Sequence, residues 1–214
     1  KDQIVKICDR NFIGCDQLIF IEPDSSADAN LRFFNSDGGE SGACGNGTRC
    51  VANLISNEKN NKSIILNTLS GKLKSEILEK KIVTTEIGKA KLKWDEIPLS
   101  KEMDTKNLNI KIIDTNNNEH SGGTAINVGN PHIVFFVKKI EDFNIEKIGP
   151  EIENHEIFPE KCNVTIAQIF NKNLIKVKVW ERGAGLTKAC GTAACATAYA
   201  GKLNNLTENK TDIE

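Results

Sequence analysis

One short block occurs twice in this chain, and the duplication constrains the fold more than any other feature. Ala43-Cys44-Gly45-Asn46-Gly47 stands in the first half and Ala189-Cys190-Gly191-Thr192-Ala193 near the end, 146 positions apart. Each block follows a β-like run, Leu31-Arg32-Phe33-Phe34 before the first and Lys176-Val177-Lys178-Val179-Trp180 before the second. Each leads into a stretch able to begin a helix. Asn35 precedes Cys44 by nine residues, and Glu181 precedes Cys190 by the same nine. A repeated strand, glycine loop, cysteine and helix predicts two like domains with thiols facing each other across a pseudo-twofold axis. Such a pair suits removal of a proton from one face of a carbon and its return to the other.

Short runs rich in β-branched and apolar residues predict strands over 17–22, 31–34, 63–67, 72–78, 82–87, 124–128, 133–137, 163–169 and 174–180. Many alternate with polar positions, as half-buried strands do. Helices are expected over 48–57, 145–154 and 192–202. The polar stretch 98–120, with Asn116-Asn117-Asn118, reads as a loose connection between halves. The expected architecture is therefore α+β: two pseudo-symmetric domains, each a curved, mostly antiparallel sheet around a central helix. Their expected limits are 1–120, carrying Cys44, and 121–214, carrying Cys190.

A length of 214 residues is enough for one large domain or two small ones with their own cores. A net charge of −1 with scattered lysines gives no reason to expect nucleic-acid binding, and Lys80-Lys81 reads as a solvated face. No apolar run reaches the length of about eighteen residues that a membrane span needs. Lys1-Asp2-Gln3-Ile4-Val5-Lys6 has neither an initiator Met nor the apolar core of a signal peptide, which suggests a fragment boundary. The seven cysteines, an odd number without a secretory signal, read as free thiols in a reducing cytoplasm. No metal site is expected. The gaps Cys44–Cys50 and Cys190–Cys195 exceed a zinc knuckle, and His120, His132 and His155 make no close histidine pair.

Both cysteine loops are glycine-dense before the thiol: Asp37-Gly38-Gly39-Glu40-Ser41-Gly42 and Arg182-Gly183-Ala184-Gly185. A cysteine at a helix start faces free N–H groups and the positive dipole end, worth about 0.3–2 kcal/mol. Since one pKa unit is about 1.4 kcal/mol, each thiol is expected to move from ~8.5 toward ~7. Two such thiols close together would titrate as a pair. The same N–H groups suit a carboxylate or enediolate. Gly42-x₄-Gly47-Thr48 lacks the lysine of a phosphate loop, and no Cys-x-x-Cys supports a thiol–disulfide enzyme. Cys50 and Cys195, deeper in their helices, read as structural. The spacing alone leaves paired catalysis and a redox or structural pair both open.

The strings Phe34-Asn35-Ser36-Asp37-Gly38-Gly39-Glu40, Gly42-Ala43-Cys44-Gly45-Asn46-Gly47-Thr48-Arg49-Cys50, Gly129-Asn130-Pro131-His132, Trp180-Glu181-Arg182-Gly183-Ala184-Gly185 and Ala189-Cys190-Gly191-Thr192 carry a further reading. In order and spacing they closely resemble the diaminopimelate epimerases. The resemblance implies a cofactor-free cytoplasmic enzyme, a homodimer, that interconverts LL- and meso-diaminopimelate in lysine and peptidoglycan-precursor synthesis. It implies Cys44 and Cys190 as the catalytic thiols. Gly45, Asn46, Gly191 and Thr192 would hold the reacting carboxylate at the helix starts. Glu181 and Arg182 would contact the substrate's amino-acid ends, with Gln17, Asn35, Asn130 and Asn163 as further polar contacts. His132 and Glu181 would tune the thiols.

Two departures are expected to matter. The family's first strand and its Gly-Asn-Asp-Phe-type loop have no counterpart here. The polar 203–214 segment stops before the family's closing strands, so the chain reads as truncated at both ends. The alternatives are a proline or hydroxyproline racemase of the same fold, and a truncated thiol protein without catalysis.

Overall fold

The computed structural model describes residues 1–42, 44–79 and 82–214. The Lys80-Lys81 pair and Ala43 of the first cysteine block lie outside the described residues. Contacts divide the chain into two compact units, Lys1–Gly88 and Lys89–Glu214.

The first unit contains α1 (Asp2–Cys8), β1 (Gln17–Glu22), β2 (Ala29–Asn35), β3 (Glu40–Ser41), α2 (Gly45–Lys59), β4 (Ser63–Thr68), β5 (Gly71–Ile77) and β6 (Val83–Thr85). Its sheet runs β1-β2-β4-β5-β6, with β3 also paired to β2. The ladders are antiparallel except β2–β4. Leu31 and Phe33 point inward on β2 while Arg32 between them is exposed, the period-two pattern of a half-buried strand. They meet Ile64 and Leu66 of β4 and the Val51, Ala52 and Ile55 stripe of α2 in one core. Burying each of the larger side chains is worth about 1.5–3 kcal/mol. Asn60, in the left-handed region at φ 51°, ends α2.

The second unit contains β7 (Ile110–Ile113), β8 (Glu119–Gly122), β9 (Thr124–Asn127), β10 (Pro131–Val137), α3 (Ile145–Glu153), β11 (Asn163–Asn171), β12 (Leu174–Glu181), β13 (Gly185–Thr187), α4 (Gly191–Leu203) and β14 (Asp212–Ile213). Its main sheet runs β13-β12-β11-β10-β9, β14 pairs with β12, and β7–β8 form a separate hairpin. β10 and β11 are parallel, which requires the crossover that α3 supplies. Asn144 opens α3 by accepting the N–H groups of Glu146 and Lys147. Ile145, Ile148 and Ile152 then form its buried stripe. Ala193, Ala196 and Ala200 of α4 are fully buried; only such small side chains let the helix lie this close to β9–β12.

Two mostly antiparallel, sheet-rich units, each with a helix against its sheet, agree with the expected fold class. The division at Gly88/Lys89 does not fall near residue 120. The stretch read as a loose connection supplies Leu99, Leu108, Ile110 and Ile112, and just before it Ile97, to the second core, where they pack with Ile133, Phe135 and Val164. Asn116-Asn117-Asn118 is the turn of the β7–β8 hairpin. Its geometry comes from Asp114, whose carboxylate accepts the Asn116 and Asn118 N–H groups and a 3.0 Å contact from His120 Nε2.

Candidate active site

In the first unit the chain leaves β2 at Asn35, turns back through β3 and enters α2 at Cys44. Gln17 and Asn35 are directly opposed on the β1–β2 ladder, and the Gln17 amide donates to Asn35 Oδ1 at 2.8 Å. Cys44 is the N-cap of α2, with extended backbone at φ −146°. Its sulfur accepts the Gly47 N–H at 3.3 Å, in the place where a serine or aspartate oxygen usually caps a helix. A side chain at Gly47 is sterically barred: a Cβ would lie 2.6 Å from Ile19 Cδ1 and 3.2 Å from the Cys44 sulfur. Gly45 and Asn46 form the first turn, and Asn46 Oδ1 accepts from Arg49.

The second unit repeats the plan. β12 ends at Glu181, turns through Arg182-Gly183-Ala184 into β13, and the chain enters α4 with Cys190 as N-cap. The turn needs glycine, since Gly183 and Gly185 have φ of 73° and 85°. Parallel pairing sets His132 beside Asn163, and Val164 faces Trp180. The starts of β10 and β11 and the end of β12 therefore share one end of the sheet. Asn163, 3% exposed, links them: its amide donates to the Pro131 carbonyl at 3.0 Å and accepts the Arg182 N–H at 3.0 Å. Asn163 thus holds the loops that carry the other expected contacts. His132 is fully buried, with Nε2 2.8 Å from Asn130 Oδ1. Burial, and secondarily the Arg182 charge, pull its pKa down to about 3, so the imidazole stays neutral. One Arg182 nitrogen donates to the Glu160 carbonyl at 2.8 Å.

The two cysteines differ in their surroundings. The Cys190 thiolate is favoured by the Thr192 hydroxyl, 3.4 Å from its sulfur, and by the Ala193 N–H, but both are outweighed. Burial first, and then the Glu181 carboxylate, push its thiol up to about 12. This corrects the expectation that the helix start lowers both thiols. A dipole effect of about 0.3–2 kcal/mol is outweighed at Cys190 by desolvation and a nearby negative charge. Glu181 is itself held by Thr187 Oγ1, 2.6 Å from its Oε1. Cys50 and Cys195, read as structural, are exposed on their helices.

Sequence reasoning missed Glu153. At the end of α3 it accepts the Trp180 indole N–H at 2.7 Å and the Gly183 N–H at 3.1 Å, clamping the turn after Glu181. Its only signal was a carboxylate in an otherwise apolar helix stripe. Among the described residues no group of three or more potential metal ligands occurs, and no helix is long and apolar enough to cross a membrane.

The two like units, each ending a strand–hairpin on a cysteine that opens a helix, have the fold of amino-acid racemases and epimerases. A hydroxyproline epimerase from Agrobacterium vitis, solved with trans-4-hydroxy-L-proline, superposes with a TM-score of 0.68 at 14% identity, covering 97% of this chain and 66% of that one. A predicted epimerase from Pseudomonas aeruginosa gives 0.59 at 14% identity, over 90% and 68%. Sequence narrows the class. The diaminopimelate epimerase family model matches residues 2–93 and 124–214. The diaminopimelate epimerase of Pelagibacter ubique is 68% identical over all of this chain and 78% of its own length. That of Sphingopyxis alaskensis is 47% identical over 89% and 67%. The chain belongs to the diaminopimelate epimerase family of isomerases.

Proposed function

We propose that the chain interconverts LL- and meso-diaminopimelate by proton transfer at Cα between one thiol of each unit, as a step of lysine and peptidoglycan-precursor synthesis. The observation that carries the reading is the repeated placement of a cysteine as N-cap of a helix, with unlike surroundings for the two sulfurs. Cys44, accepting an N–H at the positive end of α2, is suited to act as thiolate. Cys190, pushed up to about 12, is suited to hold its proton. One base and one acid is the resting state that two-base epimerisation of one stereoisomer requires.

In this reading Cys44 Sγ takes the Cα proton, and the C–H electron pair moves into the carboxylate to give an enediolate. The N–H groups at the starts of α2 and α4 stabilise that charge, as preorganised donors do. Cys190 then delivers its proton to the opposite face and is left as thiolate. The reverse reaction uses the same groups with roles exchanged. The neutral His132 is a hydrogen-bonding group rather than a cation. Arg182 suits a substrate carboxylate and Glu181 an ammonium.

Substrate identity is tested by offering LL-diaminopimelate, L-proline and trans-4-hydroxy-L-proline to the full chain under reducing conditions and following stereoisomers by chiral chromatography. The expected result is meso-diaminopimelate from the first and no conversion of the others. Preferred turnover of a proline substrate would reverse the assignment.

A further inference from the structure

Two thiols outside both cysteine loops lie against each other in the first unit. Cys8 closes α1 and is 4% exposed, while Cys15, in the turn before β1, is half-buried. Their sulfurs stand 3.5 Å apart. The backbone holds them there. The Gly14 N–H donates to the Ile7 carbonyl at 3.0 Å and the Cys15 N–H to the Cys8 carbonyl at 3.3 Å. The reversal needs glycine: Gly14 has φ +78°, and a Cβ on it would come within 3.0 Å of Arg10 Cα. With the sulfurs already at 3.5 Å, a disulfide needs that contact to shorten to about 2.05 Å.

We propose that Cys8 and Cys15 are a reversible dithiol–disulfide site, oxidised by small-molecule disulfides, that ties the end of α1 to the start of β1. Cys15 is the more exposed thiol and reacts first. Its thiolate attacks one sulfur of the small disulfide, whose S–S bond breaks, and one thiolate leaves and takes up a proton. Cys8 then gives its proton to water, and its sulfur attacks that of Cys15, expelling the second thiolate. Two electrons pass from the two cysteine sulfurs to one small disulfide, which becomes two thiols. Burial first, and then the neighbouring Cys15, push the Cys8 thiol up, which slows its ionisation. The 3.5 Å contact offsets this by making the second attack intramolecular.

No other cysteine offers the same chemistry so plainly. Cys162 has 0% exposure and points at the Ile152 carbonyl. Cys50 and Cys195 are exposed on helices of different units. The new bond would close two residues before Gln17, so oxidation would fix the segment that leads into the Gln17–Asn35 pair. The site does not depend on the epimerase reading.

The test treats the full chain with glutathione disulfide, blocks remaining thiols with iodoacetamide and digests it with trypsin without reduction. Cleavage after Lys6, Arg10 and Arg32 separates the two cysteines, so the bond joins peptide 7–10 to peptide 11–32. The expected result is that cross-linked pair, released by dithiothreitol and absent from Cys8→Ser and Cys15→Ser chains. In the Cys8→Ser chain, Cys15 should carry glutathione instead. Peptide 11–32 found wholly alkylated or glutathionylated in the wild-type chain, while Cys50 and Cys195 have reacted with the disulfide, would overturn the proposal.

Discussion

Replacing Glu153 by alanine should destabilise the second unit and loosen the turn that carries Glu181 and Arg182. The carboxylate is 6% exposed and accepts two N–H groups, from Trp180 at 2.7 Å and Gly183 at 3.1 Å. Hydrogen bonds to a charged group contribute about 1.5–3 kcal/mol each, and a donor left without a partner loses more than its bond. Lys161 Nζ, half-exposed and 4.0 Å away, adds little. The loss for Glu153→Ala is then about 3–5 kcal/mol. Glu153→Gln keeps the shape and one acceptor oxygen, so its loss is about 1–2 kcal/mol. Urea unfolding followed by tryptophan fluorescence reads this unit alone, because both tryptophans, Trp94 and Trp180, lie within it. Turnover should fall with alanine and return in part with glutamine. An alanine variant within about 0.5 kcal/mol of wild type would refute the clamp.

Three further outcomes follow from the second unit. Glu181→Gln removes the second contribution to the high Cys190 pKa, so iodoacetamide should alkylate Cys190 faster at pH 8, read by peptide mass; an unchanged rate would contradict the carboxylate's influence. His132 has a folded pKa of about 3, depressed from 6.5. The unfolded chain therefore binds the extra proton between those values. Urea stability should be complete above pH 6.5 and decline as pH falls toward about 3, and a profile flat from pH 6.5 to 5 would contradict a neutral buried imidazole. Gly149→Ala sets a Cβ 2.3 Å from Trp180 Cγ. Its overpacking should cost about 1–3 kcal/mol in the same fluorescence assay, and a neutral effect would contradict that packing.

Much of the framework around the two cysteines was legible because it rests on local signals. The β2–β3–α2 and β12–β13–α4 repeats show as alternating runs, glycine turns and a cysteine at a fixed distance. The boundary was misplaced because Leu108, Ile110 and Ile112 are separated by Asn109 and Lys111, and Asn116-Asn117-Asn118 looks like a linker until Asp114 is seen to organise it as a turn. The state of Cys190 was hidden for another reason. Its thiol is raised by burial and by a carboxylate nine residues away in sequence, brought near by the Arg182–Ala184 turn. Spacing counts residues and says nothing of such proximity. Glu153 shows in the sequence only as a carboxylate in an apolar helix stripe, and only the fold brings Trp180 and Gly183 to it.

The central claim, that Cys44 and Cys190 exchange protons at one Cα, is tested most directly by incubating LL-diaminopimelate with the full chain in D₂O under reducing conditions and following Cα–H by proton NMR. The account predicts meso product carrying deuterium at the inverted centre, and loss of that product in both Cys44→Ala and Cys190→Ala chains. Absence of exchange in the wild-type chain, or near-normal turnover in either variant, would contradict it.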